Sequence, residues 1–162
     1  MRELAGAASP HAAELIAGAL AALGLERGFV VHGSNGLDEI TTTGPTLASG
    51  ISGGTVHRRT LALAEFGVDV ARAEDLKGGD REANRAIATA ILNGTRGPQR
   101  DIVLVNSAAA LVAAGKAAGF REGMDLAAAV DSGAAEVGGI ANIWEAVGQR
   151  CIITNSPRRR PL

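Results

Sequence analysis

The sequence predicts an α/β domain with a mostly parallel sheet, flanking helices and an antiparallel hairpin. Three observations lead there. An apolar segment, a helix with both of its boundary signals and a second apolar segment follow one another between Glu3 and Val31, which makes a βαβ unit and implies a parallel pair with a right-handed crossover. Two strand-like runs, Thr46 to Ile51 and Thr55 to Leu61, flank Ser52-Gly53-Gly54, a composition suited to a tight hairpin. The second half then carries alanine-rich segments of helical character, able to cover the sheet.

Taken in order, Glu3 to Ala8 is short and apolar enough for a buried strand. Ser9-Pro10 reads as an N-cap followed by proline at the first helical position. From His11 to Leu23, the residues Ala12, Leu15, Ile16, Ala19, Leu20 and Leu23 recur at helical spacing, and Gly24 supplies the stop. Phe29 to Val31 is the next strand. Ala64 to Leu76 is mixed and irregular, with a turn at Phe66-Gly67. Asp80 caps a helix running to about Asn93, and Asn93-Gly94 and Gly97-Pro98 break the chain again. Asp101 to Ala118 reads either as a strand, Ile102 to Val105, entering a helix, or as one long helix, and its later alanine run favours helix. Arg121 to Ala135 is a further helix, whereas Gly138 to Leu162, with the single Trp, the single Cys and Arg158-Arg159-Arg160, reads as a loosely attached tail.

Composition narrows the function classes. At 162 residues the chain fits one domain, long enough to bury roughly two thirds of its unfolded surface. Sixteen basic against seventeen acidic residues leave a net charge of −1, so no global field recruits nucleic acid or an anionic membrane. Three Phe, one Trp and no Tyr make a base-stacking platform a poor expectation. One cysteine, Cys151, forms no internal disulfide and belongs to no CxxC or Cys/His cluster, which suits a cytoplasmic protein without a zinc site. No apolar run reaches the length of about 18 residues that a membrane span needs.

The chemical signal lies in VVHGSNGLDEITTTGPT, Val30 to Thr46. Asp38 and Glu39 follow an apolar strand, at the end of the sheet where open α/β folds bind ligands. Neighbouring strand residues point to opposite faces, so both carboxylates serve one site only if the backbone turns, which Gly36 permits. Their natural guest is Mg²⁺, a hard cation that takes oxygen ligands and bridges to phosphates. On composition alone, the competing reading is a pair of solvated turn residues.

Other motifs carry less. His32 is a candidate general base, but a lone histidine at a strand end more often makes a structural hydrogen bond. His11 and His57 read as exposed. Gly33-Ser34-Asn35-Gly36 has the spacing of neither phosphate-binding glycine motif, and Lys77-Gly78-Gly79-Asp80 reads as helix capping because Asp80 would repel an anion. Asn106, Ser107 and Lys116 lie in the alanine-rich segment, where a buried asparagine needs partners and can fix a helix contact. The three terminal arginines read as a solubilising end.

Together, VVHGSNGLDEITTTGPT, LKGGDREANRAIATAILNGTRGPQRDIVLVNSAAALVAAGKA and REGMDLAAAVDSGAA resemble the C-terminal half of anthranilate phosphoribosyltransferase, from about Glu3 to Ala135 and including ELAGAASPHAAELIAGALAALG. The HG-x-x-GLDEI-x-x-x-GPT core is the specific part, and with it the solvated-turn reading loses its ground. The resemblance implies a partial phosphoribosyltransferase/nucleoside-phosphorylase-type α/β domain over residues 1–137, followed by an atypical tail over 138–162. It implies an enzyme of tryptophan biosynthesis that joins the amine of anthranilate to C1 of 5-phosphoribosyl 1-diphosphate (PRPP) and releases pyrophosphate. In that family an Asp-Glu pair holds Mg²⁺ against the pyrophosphate, and it matches Asp38 and Glu39.

It also implies a homodimer formed through a helical domain. The family's GTGGD diphosphate loop, its Lys-His-Gly-Asn segment and its anthranilate-contacting arginine precede the matched region, and this chain does not contain them. The expectation is a fragment, a truncated product or one half of a split enzyme, inactive alone. The alternatives are an inactive remnant and a nucleic-acid-binding module of the same fold. The second ranks low because such relatives generally lack the Asp-Glu pair and this chain lacks a basic face.

Overall fold

A computed structural model describes residues 1–131, so the reading of residues 138–162 as a tail, and the helix expected over 132–135, lie outside the described part. Strand β1 (Arg2–Gly6) leads through helix α1 (Pro10–Ala22) to β2 (Arg27–Gly33), and the two strands pair in parallel, Leu4 opposite Phe29. Serine and proline start the helix as the sequence predicts: Ser9 Oγ accepts a hydrogen bond from the Ala12 N–H at 3.1 Å, with Pro10 in the first turn.

Strand β3 (Thr46–Ser52) pairs antiparallel with both β2 and β4 (Thr55–Leu61), giving the sheet order β1-β2-β3-β4. The hairpin closes through Gly53 and Gly54 at φ 55° and 77°, the two positive values that a type I′ turn requires. The α/β class, the parallel pair and the hairpin are as predicted. The balance differs, since two of the three strand pairings are antiparallel and the sheet is mixed rather than mostly parallel. The cause is the connection from β2 to β3. A parallel return needs a crossover, usually a helix, and residues 34–45 make turns and bends instead.

Two short 3₁₀ turns, Leu63–Glu65 and Ala73–Leu76, break the irregular stretch. Helix α2 (Arg81–Leu92) begins at the predicted cap, with Asp80 Oδ1 accepting from the Ala83 N–H at 2.9 Å. Helix α3 (Pro98–Ala113) is continuous, so the alternative of a strand over Ile102 to Val105 fails. Pro98 in its first turn and a run of residues buried against sheet and helix keep those β-branched positions helical. Helix α4 (Phe120–Asp131) packs on α3 so closely that a Cβ on Gly123 would meet the Ala108 carbonyl oxygen at 2.8 Å.

The sheet separates two apolar layers. Successive strand residues point to opposite faces, so Val30 joins Ala13, Ala17, Leu25 and Ile51 beneath α1, while Val31 joins Ile40, Leu61, Phe66, Val105 and Phe120 beneath α3 and α4. Of the predicted face of α1, Ala12, Ile16 and Leu20 pack against the core, whereas Leu15, Ala19 and Leu23 are exposed. Ala13 and Ala17 are its buried residues, and Leu15 and Leu23 are 61% and 78% exposed. Alanines let the helix backbone sit close to the strands, and that proximity decides which stripe turns inward.

Candidate metal-binding loop and its relatives

Asp38 and Glu39 lie in the loop that leaves β2, and that loop folds back across the C-terminal end of the parallel pair. Gly36 has φ 89°, the bend the sequence anticipates, and its N–H reaches the Gly33 carbonyl at 2.9 Å. The Leu37 carbonyl then accepts from the Gly33 N–H at 2.8 Å, closing the turn on the end of β2. Asn35 ties this turn to the threonines, accepting from the Leu37 N–H at 3.3 Å and donating to Thr43 Oγ1 at 3.0 Å. Further on, Thr46 Oγ1 accepts from the Thr41 N–H at 3.1 Å, and the Thr42 carbonyl accepts from the Ala71 N–H at 2.8 Å. The threonine-rich stretch thus supplies hydrogen bonds that a ladder would otherwise provide.

Two contacts flank the acidic pair, and local sequence reading reaches neither. Gly6, the last residue of β1, lies under Asp38: a Cβ built on it would stand 1.7 Å from the Asp38 carbonyl oxygen. On the other side Asn106, from α3, brackets Ile40 with its amide. Its Oδ1 accepts from the Ile40 N–H at 2.9 Å, and its Nδ2 donates to the carbonyls of Ile40 and Ile102, each at 2.9 Å. The expectation that this asparagine needs partners holds, but it is half-buried and its chief partner is a loop 66 residues away.

Both acidic residues are exposed. Enough protein still surrounds the Glu39 carboxyl that desolvation raises its pKa above the usual carboxylate range, and the charge of Asp38 beside it adds to the rise. A carboxylate made costly to ionise by an adjacent carboxylate is relieved by a cation placed between them. Among the described residues no group of three or more His, Cys, Asp or Glu forms a ready-made metal cluster. Two exposed carboxylates nevertheless fit Mg²⁺, which takes one or two protein carboxylates and completes its octahedron with waters and phosphate oxygens.

The remaining candidates resolve more simply. His32 is structural, its Nδ1 donating to the Ala7 carbonyl at 2.8 Å and tying β2 to the chain beyond β1. In Lys77-Gly78-Gly79-Asp80 the Gly79 N–H and carbonyl both bond to the Asn84 side chain, at 2.9 and 3.0 Å, so this loop caps the helix as predicted. His11 and His57 are exposed. Arg158 to Arg160 and Cys151 lie outside the described residues. Within the described residues no helix is long and apolar enough to cross a membrane.

Comparison with known proteins agrees with this architecture. Residues 1–136 match the model of the glycosyl transferase family, a/b domain. An anthranilate phosphoribosyltransferase of Solibacter usitatus is 68% identical over 134 residues, which are 82% of this chain and 39% of that protein. The crystal structure of anthranilate phosphoribosyltransferase from Thermus thermophilus superposes with a TM-score of 0.71 at 36% identity, covering 88% of this chain and 41% of the other. The Saccharomyces cerevisiae enzyme in complex with PRPP and Mg superposes with a TM-score of 0.68, over 89% of this chain and 40% of that one. Its 21% identity speaks for the fold alone. The chain thus spans 39% of the length of its Solibacter relative. With sequence and fold in agreement from β1 to α4, the chain belongs to the glycosyl transferase family, matching its a/b domain.

Proposed function

We propose that this chain forms the metal-holding part of an anthranilate phosphoribosyltransferase, which transfers the phosphoribosyl group of PRPP to the amine of anthranilate. The observation that carries the reading is the placement of Asp38 and Glu39 on a braced loop at the C-terminal end of the β1–β2 pair, in a chain 68% identical to an enzyme of that name. In this reaction the amine nitrogen bonds to C1 of the ribose as the bond from C1 to the diphosphate oxygen breaks, and the amine loses a proton. Negative charge gathers on the departing pyrophosphate while C1 becomes cationic. Asp38 and Glu39 would hold Mg²⁺ beside the pyrophosphate, where the bound ion would supply neutralisation of the developing charge. The chain's own contribution is to hold the backbone on both sides of Glu39, Asp38 against Gly6 and Ile40 on the Asn106 amide. A cytoplasmic location, a place in tryptophan biosynthesis and a homodimer built through a helical domain outside this chain complete the proposal.

The test is a graft. Residues 1–136 replace the matching segment of the Solibacter usitatus enzyme, and PRPP-dependent consumption of anthranilate is measured. The graft is expected to be active, and Asp38→Ala or Glu39→Ala to lower kcat/KM by about 100-fold or more, the usual scale for losing a group that stabilises transition-state charge. Alanine variants with full activity would refute the metal assignment, and a folded but inert graft would refute the function.

A further inference from the structure

We propose that Asn106 is a positioning residue, whose side chain sets the geometry of the Asp38–Glu39 pair by holding the backbone of Ile40. This rests on the metal-site reading above and adds to it a residue from a distant helix.

The argument begins with what the loop lacks. Between Gly33 and Thr46 no strand ladder holds the chain, yet the two carboxylates must converge although neighbouring side chains tend to diverge. Ile40, the residue after Glu39, is fixed in two ways. Its side chain is 1% exposed and belongs to the same apolar cluster as Leu104 and Val105 of α3, the helix that carries Asn106. Its N–H and its carbonyl both go to the Asn106 amide, as they would to a neighbouring strand.

The orientation of that amide is not arbitrary. The Ile40 N–H can only donate, so it faces Oδ1, and the NH₂ group then meets two carbonyls that can only accept. Aspartate at this position would keep the first bond and set its second oxygen against both carbonyls. Leucine would keep the volume and leave both groups of Ile40 without partners. Asparagine is the side chain of this size that satisfies all three. On the opposite side the Asp38 backbone rests on Gly6, so Glu39 is suspended between two fixed neighbours. Groups behind metal ligands act in this way, by removing the freedom of the ligands rather than by touching the ion.

The test titrates the full chain with Mn²⁺, a paramagnetic substitute for Mg²⁺, in the presence of inorganic pyrophosphate, reading free Mn²⁺ by electron paramagnetic resonance. It compares the unchanged chain with Asn106→Ala, Asn106→Asp, the double variant Asp38→Ala/Glu39→Ala, and Leu111→Ala. Leu111→Ala removes a buried side chain of the same helix that makes no hydrogen bond to the loop and controls for general destabilisation. Affinity is expected to fall about 10- to 100-fold in both Asn106 variants, to vanish in the double variant, and to stay unchanged in Leu111→Ala, at a temperature where circular dichroism shows each folded.

Amide hydrogen exchange provides a metal-free measure: the Ile40 amide should lose protection in Asn106→Ala while Val31 keeps it. Asn106 variants that bind as tightly as the unchanged chain, beside a double variant that does not, overturn the positioning role and leave the metal reading standing. A double variant that binds like the unchanged chain, or an unchanged chain that takes up no Mn²⁺, overturns the metal reading instead. In either case, unchanged Ile40 exchange in Asn106→Ala overturns the clamp, and selective loss of protection sustains it.

Discussion

Replacing Gly6 by alanine adds one carbon at a place where there is no room for it. The added Cβ would lie 1.7 Å from the Asp38 carbonyl oxygen and 2.7 Å from its carbonyl carbon, both backbone atoms that no side-chain rotation can move. To reach even 3.0 Å, the lower limit for such contacts, the carbonyl must retreat by 1.3 Å, the difference between the two distances. Overpacking that forces backbone shifts costs about 1–3 kcal/mol. Against this, alanine restricts the unfolded chain and returns about 0.4–1 kcal/mol, so the net expectation is a loss of about 1–2 kcal/mol. For a urea slope of about 1–3 kcal/mol per molar, the unfolding midpoint should fall by roughly 0.3 to 2 molar. The displaced residue carries one of the two proposed ligands, so Mn²⁺ affinity should fall as well, by about tenfold or more. Gly18→Ala is the matched control. Gly18 lies within α1, where a Cβ would meet nothing within 4 Å, and alanine there should stabilise by about 0.5–1 kcal/mol. An unchanged midpoint and unchanged metal affinity in Gly6→Ala would refute the close approach of β1 and the loop.

Two further outcomes test the packing and the site. Phe120→Ala removes a ring stacked on Phe66 at 4.5 Å between centroids, tilted against Phe29 at 5.8 Å and covered by the Arg59 guanidinium at 5.4 Å, and should cost about 3–5 kcal/mol in chemical denaturation. Glu39→Gln should raise the metal-free melting temperature at neutral pH while abolishing metal binding. The folded state holds the Glu39 proton more tightly than the unfolded chain does, so stability falls as pH rises from the ordinary glutamate pKa through the raised folded one. The neutral amide escapes that penalty, and its stability should vary less over this range. A lower melting temperature for Glu39→Gln at neutral pH would contradict the partial desolvation of the carboxyl.

Features decided within a few residues were legible in the sequence. Ser9-Pro10 and Asp80 start their helices because a cap bonds to an N–H three residues on. Gly53-Gly54 makes its hairpin because glycine alone enters positive φ freely. The acidic pair could be singled out for the same reason, since two carboxylates after a glycine bend are a local pattern.

What local pattern could not decide was set by contact across the chain. Apolar periodicity around Ile102 to Val105 suits strand and helix alike, and only the layer between sheet and α4 makes it α3. Leu15 and Leu23 satisfy the helical spacing of α1 as well as Ala13 and Ala17 do, but the alanines permit the close approach that the sheet requires. The same holds at the loop. The sequence by itself singled out Asp38 and Glu39 as the candidate metal ligands. The tertiary structure alone brought Gly6 beneath Asp38 and the Asn106 amide to Ile40, because steric fit and hydrogen bonding between distant parts of the chain leave no trace in the spacing of any one segment.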